Sequence, residues 1–196
     1  LSCKKKLVLQ TRAGRMTTER TDSNWFRVDV GTPRFAPEAI PFQPKEGETA
    51  PFYCVLEHLG RRPFGIANVG NPHAVVLVEN LSNIDVANAA RDFRERTDFG
   101  EGVNVGFMER SSSDTIQLRV DERGAGETLA CGSGACAAVA IGRDLAQLDQ
   151  KVTVVMPGGK LEVSWPGPKA AIWLSGPAEK VFDGKIKVNG HQQRYS

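Results

Sequence analysis

The sequence predicts an α+β fold in which a curved, largely antiparallel β-sheet, barrel-like in form, wraps around one central buried helix. Two observations carry that reading. Strand-sized apolar or alternating segments dominate the 196 residues and are separated by short Gly/Pro turns. One run, GACAAVAIGRDLAQL at 134–148, is apolar on nearly every side through its first half. A helix with no polar face has to be covered all round, and a sheet achieves that by curling about it.

In chain order, KKLVLQTRAGRMTTERT reads as a hairpin turned at Ala13–Gly14, and NWFRVDVG places Phe26, Val28 and Val30 on one strand face. GTPRFAPEAIPFQPKEGETAP holds five prolines, which oppose both helix and ladder pairing, so it is a connector. GNPHAVVLVEN gives a turn and a buried strand. LSNIDVANAARDFRERT sets Ile84, Ala87 and Phe93 at helical spacing behind a Ser82 or Asn83 cap. VNVGFME and TIQLRVDER are strands, the second alternating Ile116, Leu118 and Val120. After the buried helix come strands KVTVVM, KLEVSW, AAIWL, KVFDG and KIKV, the first three separated by PGG and PGP turns.

Composition excludes several classes of function. With 25 Lys+Arg against 23 Asp+Glu, a net charge of +2 gives no broad basic field, so no nucleic-acid partner is expected. The longest apolar stretches, AVVLV and ACAAVAI, fall far short of the ~20 residues that cross a bilayer. LSCKKKLVLQ carries no small-residue cleavage site, and the expected location is cytoplasmic. Four cysteines do not make a disulfide framework at this length, and with His58, His73 and His191 scattered there is no metal-ligand spacing.

Chemistry concentrates in DERGAGETLACGSGACAAVAIG, which runs strand, glycine loop, helix. Cys131 stands just before the helix. There the N–H groups of Gly132, Ser133 and Gly134 have no intrahelical partner and the helix dipole favours an anion. That anion is either the Cys131 thiolate, whose pKa the setting would lower, or a substrate carboxylate resting on the same amides. A thiolate beside a bound carboxylate suits nucleophilic attack or removal of a proton from the adjacent carbon. Cys136, inside the alanine-rich helix, reads as packing. GAGETLA imitates a dinucleotide fingerprint without closing a βαβ unit, and CGSGA lacks the first glycine of a nucleophile elbow. Asn71 and His73 in GNPH, Asn104 in an apolar strand, and Glu122–Arg123 at the strand end would together suit the gripping of a zwitterion; each alone is compatible with an ordinary turn or surface role.

GNPHAVVLVE, EGVNVGFME, ERGAGETLACGSGACAAVAIG, MPGGKLEVSW and GPAEKVFDG together resemble, in order, the signature stretches of diaminopimelate epimerase, the pyridoxal-independent enzyme that interconverts LL- and meso-diaminopimelate in lysine and peptidoglycan precursor synthesis. The resemblance implies that Cys131 is one of two catalytic thiols flanking the α-carbon. It makes Glu122 and His73 residues that tune those thiols, and Asn71, Asn104, Glu122 and Arg123 substrate contacts. Gly132 and Ser133 would hold the α-carboxylate. It also implies no metal or organic cofactor, and a fold of two pseudo-symmetric halves. The family's first half, with G-N-D-F and C-G-N-G-A-R-C-type motifs and the other cysteine, has no counterpart here. The expectation is therefore a C-terminal portion, inactive alone: residues 1–31 as strands of the absent half, 32–176 as the C-terminal epimerase domain, and 177–196 as a strand and tail packing with the absent half. Strands without their sheet predict self-association, as a homodimer or otherwise, through 5–30 and 170–188. The alternatives are a non-catalytic interaction module and a fold-related racemase of the proline racemase type.

Overall fold

The computed structural model describes residues 4–11, 14–22, 24–99 and 102–185. Among the described residues twelve strands form one sheet: β1 (Lys6–Thr11), β2 (Gly14–Arg20), β3 (Trp25–Gly31), β4 (Phe52–Leu56), β5 (Gly60–Asn68), β6 (Pro72–Val78), β7 (Asn104–Arg110), β8 (Thr115–Glu122), β9 (Gly126–Thr128), β10 (Lys151–Met156), β11 (Gly159–Ser164) and β12 (Ile172–Pro177). Two α-helices, α1 (Val86–Arg96) and α2 (Gly132–Leu145), complete it. The order across the sheet is β1-β2-β3-β12-β11-β10-β8-β7-β6-β5-β4, with β9 paired to β8. Its ends do not meet, so the barrel-like curvature stops short of closure.

All pairings are antiparallel except β6 with β7 and β8 with β10. Those two parallel pairs need crossovers, and the helices supply them: α1 links β6 to β7, α2 lies between β8 and β10. Both crossovers step the same way across the sheet, yet β8 runs antiparallel to β7. The right-handed crossover rule therefore places the two helices on opposite faces.

Side-chain alternation along the central strands follows suit. Val75, Met108, Ile116, Leu118 and Val120 face α2, whereas Ala74, Val76, Val105 and Phe107 face α1. With both faces covered, AVVLV is continuously apolar. Helix α2 touches β5, β6, β7, β8, β11 and β12, so the sheet wraps around it as its all-apolar surface demands. Its residues Gly134 to Gly142 are all buried.

Several sequence expectations need correction. The α1 cap is Asp85, whose carboxylate accepts from Asn88 N at 3.1 Å; Leu81–Asn83 forms a separate 3-10 turn. Asp85 is the first oxygen-bearing side chain that lies one residue before an uninterrupted helix, which explains the shift. Ala87 is exposed, and the buried stripe is Val86, Ala90 and Phe93. Helix α2 begins two residues before 134 and ends at Leu145. KVFDG is irregular rather than a strand; of KIKV only Lys185 is described. The hairpin β4–β5, unforeseen because Arg61, Arg62 and Pro63 interrupt its apolar pattern, forms the far edge of the sheet. Ala13, Cys3 and His191 lie outside the described residues. At the other edge, β1 and β2 pair, and β3 joins β12.

Candidate active site

Cys131 is the N-cap of α2, in the extended conformation that caps adopt (φ −134°, ψ 105°). Its Sγ accepts a hydrogen bond from Gly134 N at 3.4 Å, so one of the three amides expected to be open is already engaged. Those of Gly132 and Ser133 remain outside the helical ladder. A Cβ on Gly132 would sit 2.8 Å from Leu174 Cδ2; glycine lets the helix start lie close against β12.

The strands bring the other predicted residues to this helix end. His73, on the α2 face of β6, places Nε2 3.1 Å from Ser133 Oγ and 3.0 Å from Asn71 Oδ1. Ser133 Oγ is in turn 3.6 Å from Cys131 Sγ. Asn71 Oδ1 only accepts, so this arrangement selects the Nε2–H tautomer and leaves the Ser133 hydroxyl proton free to turn toward sulfur. His73 is 1% exposed and its Nδ1 has no hydrogen-bond partner. Burial pulls its pKa down to about 4, so the ring is neutral at pH 7.

Asn104 opens β7 opposite His73. Its Nδ2 donates to Pro72 O at 2.9 Å, and its Oδ1 accepts from Arg123 N at 2.9 Å. It thereby ties the turn before β6 to the end of β8. Glu122, the last residue of β8, accepts from Thr128 Oγ1 at 2.7 Å and interacts with Cys131. Half-buried Asn71, Glu122 and Ser133 with exposed Arg123 thus rim the buried Cys131, His73 and Asn104. The structure brings all the sequence-predicted site residues to one end of α2.

One electrostatic expectation is overturned. Cys131 is 5% exposed, and its thiol pKa is raised, with desolvation the largest cause. Hydrogen bonds from Ser133 and Gly134 oppose the rise, whereas the charge and hydrogen bond of Glu122 add to it. The helix start alone does not produce a resting thiolate; at neutral pH the thiol is protonated. Cys136, wholly enclosed, is pushed up to about 12 and fits its assignment to packing.

A supporting clamp escaped the sequence reading. Arg94 on α1 pairs with buried Asp121 at 2.7 Å and donates to Val103 O at 3.1 Å and Asp121 O at 3.0 Å. One guanidinium therefore holds the residues preceding Asn104 and Glu122. Nothing in local spacing joins Arg94 to Asp121; only the crossover does. Cavities of about 470 and 480 Å³ lie elsewhere, along α1 near His58 and beside Phe42. Among the described residues no three His, Cys, Asp or Glu side chains cluster as metal ligands, and no helix is long and apolar enough to cross a membrane.

Comparison with solved structures shows the same fold in an epimerase, a probable racemase and a phenazine biosynthesis protein. A hydroxyproline epimerase from Agrobacterium vitis, with bound trans-4-hydroxy-L-proline, superposes with a TM-score of 0.63 at 14% identity, covering 90% of this chain and 58% of that one. A probable proline racemase from Agrobacterium radiobacter K84 gives 0.60 at 16%, covering 93% and 63%. A phenazine biosynthesis protein of the PhzF family from Bacillus anthracis gives 0.57 at 15%, covering 90% and 67%. This chain thus spans about three fifths of the length of the first two. The family model for diaminopimelate epimerase matches residues 65–181, the stretch that runs from β5 through β12 and contains every residue of the constellation around Cys131. The chain belongs to the diaminopimelate epimerase family.

Proposed function

We propose that this chain supplies one face of a cofactor-independent amino-acid epimerase acting on diaminopimelate, with Cys131 as one of two acid/base thiols. The observation that carries the reading is Cys131 as the cap of α2, linked through Ser133 to His73 and Asn71 and touched by Glu122. The substrate α-carboxylate would rest on the Gly132 and Ser133 amides. Asn71, Asn104 and Arg123 would hold the distal amino-acid end.

Inversion breaks the Cα–H bond toward a base on one face while an acid delivers a proton to the other. A buried, protonated Cys131 is the proton donor of that pair at rest. As its S–H bond breaks, the proton goes to carbon and the sulfur becomes thiolate, stabilised by Ser133 Oγ and Gly134 N. The opposite base must be a second group. We therefore expect these 196 residues alone to leave LL-diaminopimelate without meso product in deuterated water; ready formation of the meso isomer would overturn the count. We place this chemistry in the cytoplasm, where thiols stay reduced.

The fold likeness to hydroxyproline epimerase and proline racemase favours a second reading, a substrate with one amino-acid end. Calorimetric titration with diaminopimelate and with proline separates the two. We also propose self-association through 5–30 and 170–188. Exposed Val8 and Leu9 on edge strand β1, and exposed Val181 and Phe182, support it. Light scattering that gives a monomer at every concentration would count against it.

A further inference from the structure

The geometry points to Thr128 as a positioning residue that aims the Glu122 carboxylate at Cys131; the inference deepens the reading of this site as a proton-transfer centre. Thr128 ends the short strand β9, which turns back on β8 with Glu122 opposite Gly126 and Val120 opposite Thr128. The hydroxyl donates to Glu122 Oε1 at 2.7 Å. Both neighbours of Thr128 are fixed independently. Glu127 is gripped on the other face by Arg119, Nε to Oε1 at 2.7 Å and Nη2 to Oε2 at 3.0 Å. Leu129 O accepts from Gly158 N at 2.7 Å. A strand pinned on either side of one residue presents that residue's side chain in a defined place.

Glu122 is half-buried at the end of its strand, so without a donor its carboxylate would swing toward water. With Oε1 held by Thr128, the carboxylate stays beside the thiol. The groups facing Cys131 are Glu122 from β8, His73 from β6 acting through Ser133, and Cys136 on α2 itself; Arg123 lies next to Glu122 on the following turn. His73 is neutral, and Cys136 is protonated. Glu122 is therefore the anion beside the thiol that Thr128 governs. Its charge and hydrogen bond oppose thiolate formation, so releasing it lowers the pH at which Cys131 ionises.

The test needs no substrate and so stands apart from the assignment of the reaction. The rate of alkylation of Cys131 by iodoacetamide is followed against pH on the full chain, with the Cys131 peptide quantified by mass spectrometry. Thr128→Val, nearly isosteric, is expected to shift the midpoint to lower pH. Thr128→Ser restores it. Glu122→Gln shifts it the same way, and adding Thr128→Val to Glu122→Gln produces no further change. An unmoved midpoint in Thr128→Val, or an equal shift when Glu122 is already neutralised, overturns the proposal. Normal alkylation behaviour with no diaminopimelate binding would instead count against the substrate assignment alone.

Discussion

Helices α1 and α2 occupy equivalent places in two crossovers on opposite faces of one sheet, yet their cores are built from opposite materials. Around α1 the contacts are large rings: Phe93 meets Phe64 edge-on at 5.0 Å, and Phe42 stacks on Phe99 at 4.6 Å. Around α2 they are alanines and glycines enclosed by aliphatic strand residues. The caps differ too. Asp85 offers α1 a carboxylate bonded to both the backbone and side chain of Asn88, whereas Cys131 offers α2 a thiol at 3.4 Å, a weak acceptor. The α1 side is arranged for stability. The α2 side brings a helix start close enough to the strand ends for a thiol, two amides and a histidine to converge, and accepts a poor cap in doing so.

The sharpest way to break the α1 side is to empty it. Phe93 is fully buried among aromatic rings, so Phe93→Ala should cost about 3–5 kcal/mol by chemical denaturation, through lost burial and a cavity that stiff neighbours do not fill. A loss below about 1 kcal/mol would mean that α1 is not part of the cooperative core.

The α2 side should show itself through pH. His73 titrates near 4 in the folded chain against 6.5 as its ordinary value. Between those values the unfolded chain binds a proton that the folded chain does not. Stability is therefore full above pH 6.5 and falls as the solution is acidified toward pH 4, by up to about 3 kcal/mol. Denaturation curves at several pH values should show this slope in the native chain and a shallower one in His73→Gln. An equal slope in both would show that His73 is not the group responsible.

What the sequence made legible follows the same division. The all-apolar helix dictated a wrapped sheet, and the glycine loop before Cys131 pointed to the helix start where the candidate residues converge, because both signals are local. The thiol's protonation state was not legible: helix-start amides argue for a low pKa, but the burial that reverses them comes from distant strands. The Arg94–Asp121 clamp and the β4–β5 hairpin were hidden for a related reason. Each depends on which strands lie side by side, and an Arg-Arg-Pro interruption is tolerated on β5 because those residues pair with β4 alone, the ladder to β6 starting at Phe64.

Overfilling, rather than emptying, is the way to stress the α2 side. A Cβ at Gly65 on β5 would lie 2.5 Å from Ile141 Cγ2, an atom fixed on a β-branched side chain. Gly65→Val should cost about 1–3 kcal/mol, and the helix that it displaces carries Cys131, so Cys131 alkylation should change with it. A stability change without any change in thiol reactivity would show that the helix start is insulated from its middle.

The smallest effect tests the comparison of caps directly. Serine in place of Cys131 keeps the side-chain connectivity and offers Gly134 N a hydroxyl oxygen, a far better acceptor than sulfur. If the weakness of the thiol cap outweighs the packing of sulfur, Cys131→Ser should raise stability by about 0.5 kcal/mol, since Ser ranks among the strongest N-caps. A thiol retained for packing predicts the reverse sign: a buried hydroxyl beside Val120 would destabilise by about 1 kcal/mol or more. The direction of one small change in denaturation midpoint therefore shows whether capping or packing dominates at the start of α2.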